Sequence, residues 1–371
     1  MQSVPCVLMR GGSSKGLFFL ARDLPGAAAE RDRLLLAAMG SPDLRQIDGM
    51  GGGTDQTSKV VIVAPSARPG VDVEQLFAQV SVARDFVDVL PSSGNMTAAV
   101  APFAIESGLV RATSPETRVR ILNMNSGKLV EAVVQTPDRR VIYSGPYHLD
   151  GVPGTSAPIR MKFIDPVGTR TGRLLPTGRP RDMVLGVPVT CIDFAIPLVL
   201  VKAEAVGKTG HESQQDLNAD AAFLRRLEDL RAAAAVEMGL EFVPGAGLPK
   251  IAILASPRAG GTIASRYFAP GACHAAYAIS GALALAAACH VPDTLAEEVA
   301  EINESQVECI EIEHPSGRMD CCVQTAGYDE ENMPAFVSAT INTSARPLLS
   351  GEVLIPDRSA PHGFPDGAPG P

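Results

Sequence analysis

Residues 91–108 read PSSGNMTAAVAPFAIESG, and residues 270–289 read PGACHAAYAISGALALAAAC. Each is the single strongly apolar, helix-compatible run in its half of the chain. The first predicts a helix over about Met96–Gly108, closed by Gly108; the second predicts one from about His274 to Cys289. Their starts, near Asn95 and His274, lie 179 positions apart, close to half of the 371 residues. Each run follows a glycine-bearing loop and is flanked by short β-rich segments. That arrangement predicts an α+β chain of two similar domains, each a curled, mostly antiparallel sheet around a central helix.

Working outward, strands are expected at Val4–Met9, Leu17–Leu20, Val60–Ala64, Leu76–Val82, Val119–Leu122, Leu129–Val134 and Val141–Ser144, with a helix over Ala27–Met39. The second half opens near Val184 with the β-rich GVPVTCIDFAIPLVLVKA. A polar, Ala-rich helical region follows over Ser213–Met238, and a shorter helix over Asp293–Glu304. Further strands are expected at Ile251–Leu254, Ile263–Phe268, Val307–Ile312, Arg318–Gln324, Phe336–Asn342 and Val353–Ile355. The domains are therefore drawn as 1–183 and 184–355. The segment 356–371, rich in Pro, Gly and Asp, is expected to be a disordered tail.

Composition narrows the functional classes. The chain is 46% hydrophobic and 20% charged, which suits a packed core; 35 Gly, 30 Pro and 5% aromatics suit short strands and turns better than a bundle. A net charge of −9 argues against a nucleic-acid binder but leaves an anionic small molecule open, since that responds to the field of one cleft. No run approaches the ~18 apolar residues of a membrane span, and no secretory signal is visible. Seven cysteines without framework spacing or a C-x-x-C pair predict reduced thiols, as in the cytoplasm, and no zinc site.

Four segments offer chemistry. In MRGGSSKG (9–16), glycines admit a ligand to the backbone, Ser13 and Ser14 donate hydrogen bonds, and Arg10 and Lys15 supply charge; a solvated turn is the competing reading. The loop DGMGGGTDQTSK (48–59) delivers Lys59 to the lip of the apolar strand VVIVA. Desolvation there would lower its pKa and supply a neutral amine as base, whereas an edge lysine that snorkels to water is the commoner case. Ser93-Gly94-Asn95 stand at a helix start, where amides and dipole favour an anion; Ser93 is either an acid–base group or an ordinary cap. Cys273 and His274 begin the second apolar run, Arg266 precedes it as a carboxylate fork, and Ser316 lies in the turn His314-Pro315-Ser316-Gly317.

Together, MRGGSSKG, SPDLRQIDGMGGGTDQTSKV (41–60), SGNMTAAVAPFAIESGLV (93–110), DGVPGTSAPI (150–159) and LLPTG (174–178) resemble the 4-oxalomesaconate tautomerase / 2-methylaconitate isomerase family. The resemblance runs from about Val4 to Ile355. It implies the diaminopimelate epimerase-like fold with the active site between two domains. It also implies cofactor-independent isomerisation of an unsaturated di- or tricarboxylate, with no metal, no nucleic acid and no membrane; a homodimer is allowed. Lys59 is then the base, while the RGGSSKG loop, the SGN helix start and the second helix start hold carboxylates. The family usually has Cys where this chain has Ser93. A hydroxyl is far less acidic than a thiol, so the expected route has one base: Lys59 takes a proton and returns it at the far end of the allylic unit. Oxalomesaconate is the favoured substrate; 2-methylaconitate or aconitate isomerisation, or carboxylate binding with weakened catalysis, are the alternatives.

Overall fold

The computed structural model describes residues 1–241, 247–269, 271–302, 308–330 and 332–356. Pro270, the ends of two expected elements (Glu304 and Val307) and the expected tail beyond Pro356 lie outside the described residues. The strands of the first half are β1 (Gln2–Gly11), β2 (Ser14–Leu20), β3 (Lys59–Pro65), β4 (Val73–Val80), β5 (Val87–Asp88), β6 (Glu116–Asn123), β7 (Leu129–Gln135), β8 (Tyr147–His148), β9 (Thr155–Ser156) and β10 (Ile159–Ile164). The second half has β11 (Asp182–Val184), β12 (Val187–Phe194), β13 (Ile196–Lys202), β14 (Lys250–Ala255), β15 (Ile263–Ala269), β16 (Ala272–Cys273), β17 (Cys309–His314), β18 (Gly317–Tyr328), β19 (Pro334–Thr343) and β20 (Ala345–Ile355). The helices are α1 (Ala28–Met39), α2 (Gly94–Glu106), α3 (Gln214–Ala219), α4 (Ala221–Glu237), α5 (Ile279–Ala288) and α6 (Leu295–Val299). None of them is long and apolar enough to cross a membrane.

Strand pairing repeats. In the first half β1–β2 is antiparallel, β2–β3 parallel, β3–β4 and β4–β5 antiparallel, β4–β6 parallel, and β6–β7 and β7–β10 antiparallel. In the second half β12–β13, β13–β14, β14–β15, β15–β16, β15–β17, β17–β18 and β18–β19 follow in the same order and the same senses. Two antiparallel pairs, β10–β19 and β1–β20, join the halves, so the last strand crosses back to the first.

Within this repeat α2 and α5 are equivalent. Residues Gly94–Ala104 of α2 and every residue of α5 are buried. A helix apolar on all sides finds no wet face and must sit inside its sheet. Phe103 of α2 meets Phe18 of β2 at 5.4 Å between ring centroids. Truncating such a buried Phe to Ala costs about 3–5 kcal/mol.

Some expectations fail for local reasons. The second central helix begins at Ile279, five residues beyond His274, because Ala278 is extended (φ −81°, ψ 130°) and the His274 ring takes the Ala276 amide. Asp220 splits the Ser213–Met238 region by capping α4 through the Phe223 amide. Val141–Ser144 forms no strand, whereas β20 is eleven residues long because β1 pairs along it from end to end, skipping only Leu348 at a register shift. The cysteines also differ from expectation. Cys309 and Cys322 face each other in the β17–β18 register and form a disulfide, while Cys6, Cys191, Cys273, Cys289 and Cys321 are free and buried.

Candidate active site between the two helix starts

A cleft of about 470 Å³ opens where α2 and α5 begin. The first half lines it with Ser14, Asp55, Lys59, Gln79, Asp88, Ser93, Gly94 and Asn95; the second with Lys250, Tyr267, His274, Ala278 and Ser280. The helix starts abut at Gly94: a Cβ there would lie 2.8 Å from the Ile279 Cβ, so only glycine lets them come this close. Both starts expose amides that have no intrahelical acceptor, and both dipoles direct positive potential into the cleft.

Lys59 is the first residue of β3, paired with Gly16 on β2 and Gln79 on β4. A Cβ on Gly16 would lie 2.3 Å from the Lys59 carbonyl oxygen, so this glycine is set by backbone contact. The Lys59 Nζ donates to Gln79 Oε1 at 2.7 Å and stands 5.1 Å from the Phe77 ring centre. Gln79 Nε2 donates to the carbonyls of Asp55 and Ser58, which fixes Oε1 toward the lysine. The immediate partner is thus a neutral acceptor. Half-buried by area but crowded by protein, Lys59 is pushed down to about 7; desolvation dominates, Lys250 adds to it, and Asp55 opposes it.

Lys250, which sequence reasoning missed, holds the equivalent place as first residue of β14. Burial lowers it to about 8, assisted by Arg231 and opposed by Asp55, Asp88 and Glu228. The signal was present in the chain: KIAILA (250–255) matches KVVIVA (59–64), a lysine at the lip of a buried apolar strand.

Ser93 caps α2, its Oγ accepting from the Met96 amide at 3.4 Å. Asn95 Nδ2 donates to the hydroxyls of Ser13 and Ser14, and its buried Oδ1 has no protein partner. His274 is buried and held neutral at about 3, by desolvation first and then by the fields of Lys59, His314 and Lys250. Its Nδ1 accepts from the Ala276 amide at 3.1 Å, so the ring proton sits on Nε2 and is available to an oxyanion.

The remaining expected residues stand elsewhere. Arg10 donates to the carbonyls of Gly12 and Ser344 and to Ser156 Oγ. Arg266 donates to the carbonyls of Glu212, Ser265 and Glu313. Ser316 Oγ donates to the Ala275 carbonyl. Cys273 lies on β16, not at a helix start, and burial pushes its thiol up to about 12, so no thiolate is present there. None of these four, nor Ser13 and Lys15, lines the cleft; Ser14, Lys59, Ser93, Gly94, Asn95 and His274 do.

Two units of one topology, meeting at a cleft between central-helix starts, define the diaminopimelate epimerase-like fold. The family model described as PrpF protein matches residues 1–356, and the chain belongs to that family. A (4E)-oxalomesaconate Delta-isomerase of Novosphingobium sp. (strain KA1) is 46% identical, covering 96% of this chain and 98% of its own. A 4-oxalomesaconate tautomerase of Pseudomonas putida is 46% identical, covering 85% and 87%. The solved structure of a methylitaconate-delta-isomerase matches with a TM-score of 0.75 and 34% identity, covering 95% and 96%. The chain is an isomerase of this kind.

Proposed function

We propose that the chain shifts a proton and a double bond in an unsaturated tricarboxylate, with 4-oxalomesaconate as substrate and Lys59 as the base. The observation that carries this reading is a lysine held by a neutral amide acceptor at the mouth of a cleft built from two helix starts. Neutral Lys59 takes a proton from a carbon next to the conjugated system. The amides at Gly94 and Asn95 and the Nε2–H of His274 carry the charge of the resulting dienolate. The substrate assignment is supported by the two relatives at 46% identity, both named for oxalomesaconate. Division into residues 1–183 and 184–355 belongs to the same reading, since each unit then supplies one helix start and one lysine. Five free, buried cysteines support a cytoplasmic site of action, with the Cys309–Cys322 bridge as the exception.

The test is an absorbance assay with 4-oxalomesaconate, 2-methylaconitate and aconitate in parallel. Oxalomesaconate should turn over fastest, and Lys59→Met should reduce its turnover at least ~100-fold, the usual scale for a general base. Turnover of the aconitates alone would replace the substrate assignment. Near-normal turnover by folded Lys59→Met would remove the base.

A further inference from the structure

The repeat that equates β3 with β14 also equates their first residues. Lys59 and Lys250 each open an apolar strand that is parallel to the strand before it in the sheet, and each reaches the same cleft from its own half. The helix caps, also equivalent, have lost any matching chemistry: Ser93 caps α2, and Ala278 stands before α5 with no side-chain cap. Both lysines line the cleft together with the buried His274 ring, which places them around one ligand volume.

We propose that Lys250 is the second catalytic group, delivering the proton that completes the allylic shift from the side opposite Lys59. This rests on the isomerase reading above and deepens it. In the forward step the Lys59 Nζ lone pair takes the C–H proton, and that bond's electrons enter the dienolate. The dienolate's far carbon then takes a proton from the Lys250 ammonium and forms the new C–H bond. Turnover leaves Lys59 charged and Lys250 neutral; exchange of one proton with water at each resets the site, and no oxidant or co-reactant is needed. The environments suit these roles, because Asp55, Asp88 and Glu228 favour the ammonium of Lys250, whereas Asp55 alone does so at Lys59. Asp88 stands beside Lys250: a Cβ on Gly247 would lie 3.2 Å from Asp88 Oδ2 and 3.4 Å from the Lys250 Nζ. A return of the same proton by Lys59 is then unnecessary.

The experiment compares Lys250→Gln, Lys250→Arg and Lys59→Met with the unaltered chain, using 4-oxalomesaconate across pH 6–9.5, with folding checked by circular dichroism. We expect Lys250→Gln to lower kcat by ~100-fold or more while KM moves less than ~5-fold, and to remove the basic limb of the pH profile. Lys250→Arg keeps the charge but cannot release a proton, so it should remain as slow as the Gln variant. Restored turnover in Lys250→Arg, or a raised KM with kcat intact, would make Lys250 a carboxylate anchor and overturn the proposal. So would deuterium moving from donor to acceptor carbon in a single turnover. Loss in Lys59→Met with near-normal Lys250→Gln overturns this inference alone, whereas absence of turnover in the unaltered chain overturns the oxalomesaconate reading beneath it.

Discussion

Replacing Gln79 by Glu should disable the base without touching it. The Lys59 Nζ sits 2.7 Å from Gln79 Oε1, so the substitution puts a carboxylate against the amine in place of a neutral amide. A hydrogen bond to a charged group is worth roughly 1.5–3 kcal/mol, and each 1.36 kcal/mol moves a pKa by about one, so Lys59 should rise by about one to two. The sign follows from the charge: an adjacent anion favours the ammonium, and the ammonium cannot take a proton. Starting from about 7, the neutral fraction of Lys59 at pH 6 is about a tenth; in the variant it falls to between about 1% and 0.1%. The readout is kcat/KM for 4-oxalomesaconate from pH 5.5 to 7.5, where Lys250 stays mostly cationic in both proteins. We expect a loss of about 10- to 100-fold at pH 6 that shrinks as the pH rises, with the acid limb displaced upward. Glu also forfeits the bonds to the Asp55 and Ser58 carbonyls, but that damage would lower the profile at every pH alike. An acid limb left in place would refute the assignment of Lys59 as the titrating base.

Two further outcomes follow from the same geometry. Ser93→Ala removes the cap on the Met96 amide and one cleft hydroxyl, so activity should fall about 10-fold, about 1.4 kcal/mol, with the fold retained; complete loss measured in the same assay would make Ser93 an acid–base group. Lys59→Met should also raise the melting temperature. A lysine whose pKa is lower folded than unfolded destabilises the fold fully below about 7, and this penalty fades as the pH rises toward the ordinary value of 10.5. The advantage of Lys59→Met should therefore be largest at pH 6 and shrink by pH 10; thermal melts at the two pH values check the trend, and a constant difference would contradict it.

Periodicity and turn chemistry carried the fold far, because α2 and α5 are so uniformly apolar that only a central position accepts them. Lys59 was legible for a similar reason: a glycine-rich loop and a buried strand leave its ammonium at the lip. Lys250 repeats the strand half of that pattern but lacks the conspicuous loop, and only the pairing order of the two sheets reveals the equivalence. Arg10 and Arg266 failed differently. A cation in a suggestive segment looks available in sequence, yet both spend their donors on carbonyls brought close by distant strands, such as Ser344 on Arg10 and Glu313 on Arg266. The start of α5 was misplaced because HAAYA is apolar and helix-compatible, while the bond from the Ala276 amide to the His274 ring is tertiary detail that holds the chain extended. The Cys309–Cys322 bridge depends on strand register, which spacing alone leaves open.

On the mechanism proposed above, a serine at residue 93 fits the way the cleft divides its tasks. Substrate carboxylates can be met by amides and dipoles at the two helix starts, which carry positive potential without holding a transferable proton. If the lysines had to neutralise those carboxylates, each would be fixed as an ammonium by its partner and lost to proton transfer. Here Lys59 is instead held by a neutral oxygen, and burial brings it down to about 7, which suits the proposed role of base near neutral pH. In the proposed mechanism His274 contributes in the same neutral way, since its Nδ1 is already occupied and its Nε2–H would stabilise an oxyanion without adding a charge. The proposed mechanism thereby assigns binding to groups that do not titrate near pH 7, and chemistry to groups that do. A serine hydroxyl at the head of α2 belongs with the first set: it caps the helix by accepting from the Met96 amide, and under the two-lysine proposal nothing more is asked of it.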